Sequence, residues 1–164
     1  MTGYEIEPWH DFFVAQAGAG AALTGLVFVA ISINLTKLLS QRAVQGRAVE
    51  ALMLLVALLI VGLAALIPGQ GARAFGIELI AFGIALSGCV MAASTGKVNA
   101  GGATRGQHLT RIVLGQMSAL AIALAGASLL IGAGGGLYWL AGAAILCIVA
   151  GMIGAWVLLV EILR

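Results

Sequence analysis

The sequence predicts an all-α integral membrane protein, a bundle of five transmembrane helices. Of its 164 residues, 62% are hydrophobic and 9% are charged, whereas a soluble domain carries about 25% charged residues. The apolar residues form five runs, each close to the roughly 20 residues that a helix needs to cross about 30 Å of hydrocarbon. None of these runs alternates in polarity as the strands of a membrane β-barrel do. A helix that satisfies its own backbone hydrogen bonds is therefore expected in each run.

The breaks between the runs set the expected helix boundaries. A Pro-Gly-Gln-Gly turn at 68–71 separates the second run from the third, and a glycine-rich turn at 132–136 separates the fourth from the fifth. Because both connections are short, each flanking pair is expected to form an antiparallel hairpin. The spans are expected at residues 12–35, 48–67, 74–93, 112–131 and 137–163.

The segments between the spans are too short for a second folded unit. The longest polar stretch, residues 94–111, has 18 residues. We therefore expect a single transmembrane domain over residues 1–164, with its function in or at the bilayer.

Basic residues are distributed unevenly between the two ends of the predicted bundle. One end has Arg73, together with Glu5, Glu7 and Asp11. The other end has seven basic residues: Lys37, Arg42, Arg47, Lys97, Arg105, Arg111 and Arg164. Because cytoplasmic loops carry the excess of Lys and Arg, this pattern predicts an outside N-terminus and a cytoplasmic C-terminus. Anionic headgroups on the cytoplasmic side are the partners expected for these basic loops.

Aromatic residues flank two of the spans. Tyr4 and Trp9 precede the first span, and Tyr138 and Trp139 follow the glycine-rich turn. The five-span pattern places both pairs at the outer interface, where amphipathic rings settle.

Three spans carry small residues at four-residue spacing, which is typical of helices that pack closely in lipid. On a helix such residues share one side and form a groove. These grooves favour packing within the chain, with a homo-oligomer interface as the alternative for one of them. The candidate packing residues are Ala17, Ala21 and Gly25 in the first span, with Gly18 and Ala22 on the adjacent row; Gly115, Ala119 and Ala123 in the fourth; and Ala143, Gly151 and Ala155 in the fifth.

The second span differs from the other four. Bulky apolar residues surround it, among them Leu54, Leu55, Leu58 and Ile60. This pattern predicts a lipid-facing helix.

Polar residues inside the spans are candidates for function, because they cost free energy there. They are Gln16, Thr24, Asn34, Glu50, Glu78 and Gln116. Glu50 is expected to be an interfacial carboxylate with a local partner, and Glu78 to reach outward or to pair with Arg73. No titratable group lies at a span centre, where transporters bind substrate and coupling ions. This pattern disfavours coupled transport.

The sequence contains no combination of residues that predicts catalysis. His10 and His108 fall on opposite membrane faces of the predicted topology, so they cannot share a metal ion. Asp11 is the only aspartate, and no histidine lies within a span to activate a serine. We expect no enzyme activity, no metal and no cofactor. Without aromatic residues interleaved among the basic ones, no nucleic-acid partner is expected either.

The first half of the chain contains a distinctive pattern. It consists of Trp9-His10-Asp11-Phe12-Phe13, then Leu23-Thr24-Gly25, and then Ser32-Ile33-Asn34-Leu35. The pattern resembles an uncharacterised family of small bacterial multi-pass inner-membrane proteins. The resemblance implies a bacterial inner membrane and brings no activity with it.

Two hypotheses for function follow. The first is a non-catalytic membrane protein with a helix-packing, interaction or subunit role, which includes a homo-oligomer. The alternative is a small oligomeric channel for ions or small solutes, lined by Gln16, Thr24, Asn34 or Gln116.

The predicted topology can be tested with reporters at the two termini. A reporter that is active only in the cytoplasm should be active on the C-terminus and silent on the N-terminus, because an odd number of spans puts the ends on opposite sides. Finding both termini on one side would contradict the five-span topology.

Overall fold

The computed structural model describes residues 3–35, 42–95 and 105–163, and these residues form five α-helices and no strand. A short 3-10 turn, Glu7–Trp9, leads into the first helix. The helices are α1 (His10–Ile33), α2 (Arg42–Ala65), α3 (Ala72–Thr95), α4 (Arg105–Ile131) and α5 (Leu137–Leu163). Each contains a stretch long and apolar enough to cross a membrane. The predictions of an all-α fold and of five membrane-length helices are confirmed. The basic residues Lys37, Lys97 and Arg164 lie outside the described residues.

Two helices begin earlier than the apolar pattern predicts. α2 begins at Arg42 and α4 at Arg105, before the expected spans at 48–67 and 112–131. The apolar pattern marks only the part of a helix that lies in hydrocarbon. Polar residues with good helix propensity, such as arginine and glutamine, extend the helix beyond it. α1 instead ends before the predicted boundary, at Ile33, and Asn34 is its C-cap.

Four of the helices form a ring, and the fifth packs on the outside. In the ring each helix neighbours the next, from α2 through α3 and α4 to α5, and α5 closes on α2. α1 packs mainly against α2 and touches α5 only slightly. Much of α1 is therefore uncovered by the rest of the chain.

The second span was predicted to face lipid, and this prediction is wrong. α2 contacts all four other helices, and Leu54, Leu55 and Leu58 are each 2% exposed or less. A helix that is apolar on every side suits either lipid or a protein core, so its sequence pattern does not distinguish the two environments. Leu54, Leu55 and Leu58 fill the core between α2 and its neighbours, whereas Ile60 is 44% exposed.

Glycines on α3 bring it close to α4 in an antiparallel pair. Gly76 lies against Gly126, Gly83 against Ala119 and Ala123, and Val90 against Gly115. A Cβ atom at Gly83 would lie 2.8 Å from the backbone nitrogen of Ala123 and 2.9 Å from the carbonyl oxygen of Ala119. The α3 positions recur every seven residues, so small residues hold the two backbones together along most of both helices.

α1 packs on α2 in the same way over a shorter length. A Cβ atom at Gly20 would lie 2.8 Å from the backbone nitrogen of Leu59. Gly62 of α2 in turn lies against the backbone of Ala17. This contact attaches α1 to the ring.

The N-terminal segment docks onto the turn between α4 and α5. The amide of Leu137 donates to the carbonyl oxygen of Gly3 at 2.7 Å, and the amide of Gly135 donates to the Tyr4 hydroxyl at 3.0 Å. Gly136 has a φ of 55° and lies against Gly3, so glycine suits both its backbone conformation and the close approach.

An aromatic cluster covers the same end of the bundle. The rings of Trp9 and Tyr138 are 5.0 Å apart, and those of Phe13 and Phe75 are 6.2 Å apart. The two aromatic pairs predicted to share a membrane interface thus lie at one end of the bundle.

We expect Gly83→Leu to destabilise the bundle, because the new side chain would meet the backbone of α4. Overpacking of a well-packed site costs about 1–3 kcal/mol. Gly88→Leu on the same helix is the matched control, since a Cβ atom there would meet nothing within 4 Å. Thermal unfolding in detergent should show a lower midpoint for Gly83→Leu only; equal midpoints for the two variants would contradict the α3–α4 packing.

Candidate functional site

A cavity of about 320 Å³ lies between α2, α4 and α5, at the end opposite the aromatic cluster. Its volume is in the usual range of small-molecule sites. Most of the wall is apolar, and three charged side chains lie on it. The lining residues are Arg47, Glu50, Ala51 and Leu54 of α2, Thr110, Arg111 and Leu114 of α4, and Ala150, Ile153 and Gly154 of α5.

An ion pair between helices holds one wall of this cavity. Nε of Arg111 donates to Oε2 of Glu50 at 3.0 Å, and Nη2 makes a second contact with the same oxygen. The side chain of Glu50 is 6% exposed and that of Arg111 is 19% exposed. Glu50 thus has a partner on another helix, in addition to whatever local partner the sequence led us to expect.

Gly115 makes room for this ion pair. A Cβ atom at Gly115 would lie 3.4 Å from Oε1 of Glu50 and 2.9 Å from a methyl group of Val90. The predicted packing residue therefore allows both the close approach of α3 and the position of the Glu50 carboxylate. The helices α2, α3 and α4 therefore pack together at Gly115.

Arg47 supplies a second cation to the same cavity. It precedes Glu50 by three residues, so both side chains lie on one face of α2, and Arg47 is only 5% exposed. Two guanidinium groups and one carboxylate give the described lining a formal charge of +1. Among the described residues no group of three His, Cys, Asp or Glu side chains could hold a metal ion. Two guanidinium groups on an apolar wall are suited to contacting an anion.

Gln16 joins two helices inside the bundle. Its side-chain amide donates to the carbonyl oxygen of Leu58 at 3.0 Å, and the residue is 6% exposed. The cavity beside it is about 10 Å³, near the minimum for one water molecule. The side chain therefore lies in the packed bundle, where its Oε1 is buried without a hydrogen-bond partner among the described residues.

Gln116 forms a similar link between α3 and α4. Its Nε2 donates to the carbonyl oxygen of Ser87 at 3.1 Å, and the Ser87 hydroxyl donates back to Oε1 at 2.6 Å. Both hydrogen bonds run between the helices. The side chain is thus a bridge within the chain.

The other three predicted polar residues do not come together. Asn34 donates to the carbonyl oxygen of Ala30 at 3.0 Å and caps the end of α1. The Thr24 hydroxyl is buried without a hydrogen-bond partner among the described residues. Glu78, which was expected to reach outward or to pair with Arg73, is exposed and accepts a hydrogen bond of 2.7 Å from Gln70 in the α2–α3 turn.

The small-residue grooves occupy two different environments. In α4, Gly115 and Ala119 are buried against α3 and Ala123 is partly buried; in α5, Ala143 and Gly151 are buried and Ala155 is partly buried. In α1, Ala17 is buried against α2. The remaining predicted packing residues of that helix, Gly18, Ala21, Ala22 and Gly25, are exposed.

Sequence reasoning missed the glycines of α3 and the meeting of Arg47, Glu50 and Arg111. The seven-residue spacing of Gly76 and Gly83 is a signal that could have revealed the first. No sequence signal indicates the second, because Glu50 and Arg111 are 61 residues apart.

No protein-family model matches the chain, and neither the curated proteins nor the solved structures include a match to it. The resemblance to a family of small bacterial membrane proteins therefore rests on the quoted residues of the first half alone. The five apolar helices agree with it at the level of a small multi-pass membrane protein.

We expect Glu50→Gln and Arg111→Gln each to destabilise the bundle. A hydrogen bond to a charged group contributes about 1.5–3 kcal/mol, and removing one partner leaves the other charge uncompensated. The double variant should lose less free energy of unfolding than the two single variants together, because neither charge is then left without its partner. Unfolding in detergent measures the three losses.

Glu78→Gln is the matched control for this cycle. Glu78 is exposed, so this substitution should change the free energy of unfolding by no more than about 0.5 kcal/mol. Additive losses in the double variant would contradict a stabilising contact between Glu50 and Arg111.

Proposed function

We propose that this protein is a non-catalytic membrane subunit that associates with a second copy of itself through α1. The observation that carries the proposal is an uncovered face of small residues on this helix, formed by Gly18, Ala21, Ala22 and Gly25. We call it the α1 small face. A Cβ atom at Gly18 or Gly25 would meet nothing within 4 Å in the part of the chain that the structure describes.

Glycine in the middle of a helix needs a reason, since it costs about 1 kcal/mol relative to alanine. At Gly20 the reason is the backbone of Leu59, which leaves no space for a side chain. At Gly18 and Gly25 the chain itself supplies no such contact. Close approach of another membrane helix is a reason that suits both positions.

The other two predicted grooves are occupied within the chain. Gly115 and Ala119 pack against α3, and Gly151 packs against Leu55 of α2. Of the three grooves, the one on α1 is left for contact between copies. α1 is also the least covered helix, with 22% of its membrane stretch buried.

Symmetry favours a second copy as the occupant. Two copies with the same orientation in a membrane are related by an axis along the bilayer normal, so their α1 helices run parallel. Equivalent residues then meet across the axis. A face of small residues is complementary to itself in this arrangement, because two flat surfaces approach closely.

We further propose the membrane and the orientation that the charges and the resemblance favour. The chain would lie in a bacterial inner membrane, with its N-terminus outside and its C-terminus in the cytoplasm. The cavity with Arg47 and Arg111 would then open near the cytoplasmic surface.

The pore alternative stays a prediction. Gln16 and Gln116 hydrogen-bond to other helices of the same chain, and Asn34 bonds to its own. Their position therefore adds no support to a pore.

We expect Gly18→Leu and Gly25→Leu to weaken association in liposomes, because a leucine side chain would hold the two helices apart. Energy transfer between copies labelled with donor and acceptor dyes, measured over a range of protein-to-lipid ratios, gives the dissociation constant. It should rise at least about tenfold in either variant, which corresponds to about 1.4 kcal/mol.

Gly142→Leu is the control for this experiment. Gly142 is an exposed glycine in open space on α5, flanked by the large side chains of Trp139 and Ile145. Association of the control should equal that of the unaltered protein. A monomeric unaltered protein, or association that withstands both α1 substitutions, would contradict the proposal.

A further inference from the structure

We propose that the cavity between α2, α4 and α5 binds an anionic phospholipid, with the phosphate held by Arg47 and Arg111. The site is separate from the α1 small face and does not depend on association between copies. Its basis is the combination of two guanidinium groups, apolar walls and depth in the membrane.

The depth of the charged groups matches the level of lipid headgroups. The apolar runs begin at residue 48 in α2 and at residue 112 in α4. Arg47 and Arg111 therefore each lie immediately before the apolar run of their helix, at the edge of the hydrocarbon.

The charge of the cavity suits a phosphate. Arginine binds phosphate oxygens through its planar fork of N–H donors. Glu50 contacts the guanidinium of Arg111 and so fixes its position beside the cavity. A carboxylate on the wall also disfavours a ligand with several negative charges, which favours a phosphate diester with one charge.

The remaining walls suit an acyl chain. Ala51 and Leu54 continue from Glu50 along α2 towards the membrane centre, and Ala150 faces the cavity from α5. A phosphate at the arginines would leave a chain attached to it in contact with these residues. Basic pockets between helices at the cytoplasmic side are a known way of binding lipid headgroups.

A binding experiment with three ligands distinguishes a lipid phosphate from free inorganic phosphate. The purified protein in a neutral detergent is titrated with short-chain dihexanoyl phosphatidylglycerol, with dihexanoyl phosphatidylcholine and with inorganic phosphate, and binding is followed by calorimetry. We expect phosphatidylglycerol to bind at least about tenfold more tightly than either of the others. Equal affinity for the two lipids would overturn the role of charge, and equal affinity for inorganic phosphate would overturn the role of the acyl chain.

Variants locate the site. Arg47→Gln should weaken phosphatidylglycerol binding at least about tenfold, and Arg47→Lys should restore part of it. Arg73→Gln removes the same charge from an exposed position at the other end of the bundle and should leave binding unchanged. Unchanged binding in Arg47→Gln, or an equal loss in Arg73→Gln, would overturn the assignment. The comparison of ligands on the unaltered protein decides the proposal even where a variant fails to fold.

Discussion

Close approach of helix backbones is the constraint on which the rest of this bundle depends. In a bilayer, apolar side chains gain little by leaving lipid for protein, so helices associate through backbone contact and hydrogen bonds. Gly76 and Gly83 let α3 lie directly on α4, and Gly20 and Gly62 do the same for α1 and α2. The ring of helices, its filled core and the position of each polar side chain follow from these contacts.

Polar side chains complete the links that the glycines begin. Gln16 joins α1 to α2, Gln116 joins α4 to α3, and Glu50 joins α2 to α4 through Arg111. Each of these residues looked like a candidate for a pathway when considered alone. In the bundle each of them makes a hydrogen bond to a neighbouring helix, which satisfies a polar group away from water.

Two surfaces of the bundle are not filled by its own packing. The α1 small face has no partner among the described residues, and two guanidinium groups and one carboxylate lie on the apolar wall of the cavity. One is suited to another helix and the other to an anion with an apolar tail. The two features lie in different parts of the molecule, so association and lipid binding can be measured independently.

The sequence by itself determined the membrane class, the five apolar helices and the polar residues within them, because hydropathy and helix length depend only on local order. It also predicted grooves on α4 and α5 from the spacing of their small residues. Only the tertiary structure decided which face of each helix meets another. Residues 50 and 111 became partners, and the bulky α2 lies in the core, since contacts between distant segments leave no trace in local pattern.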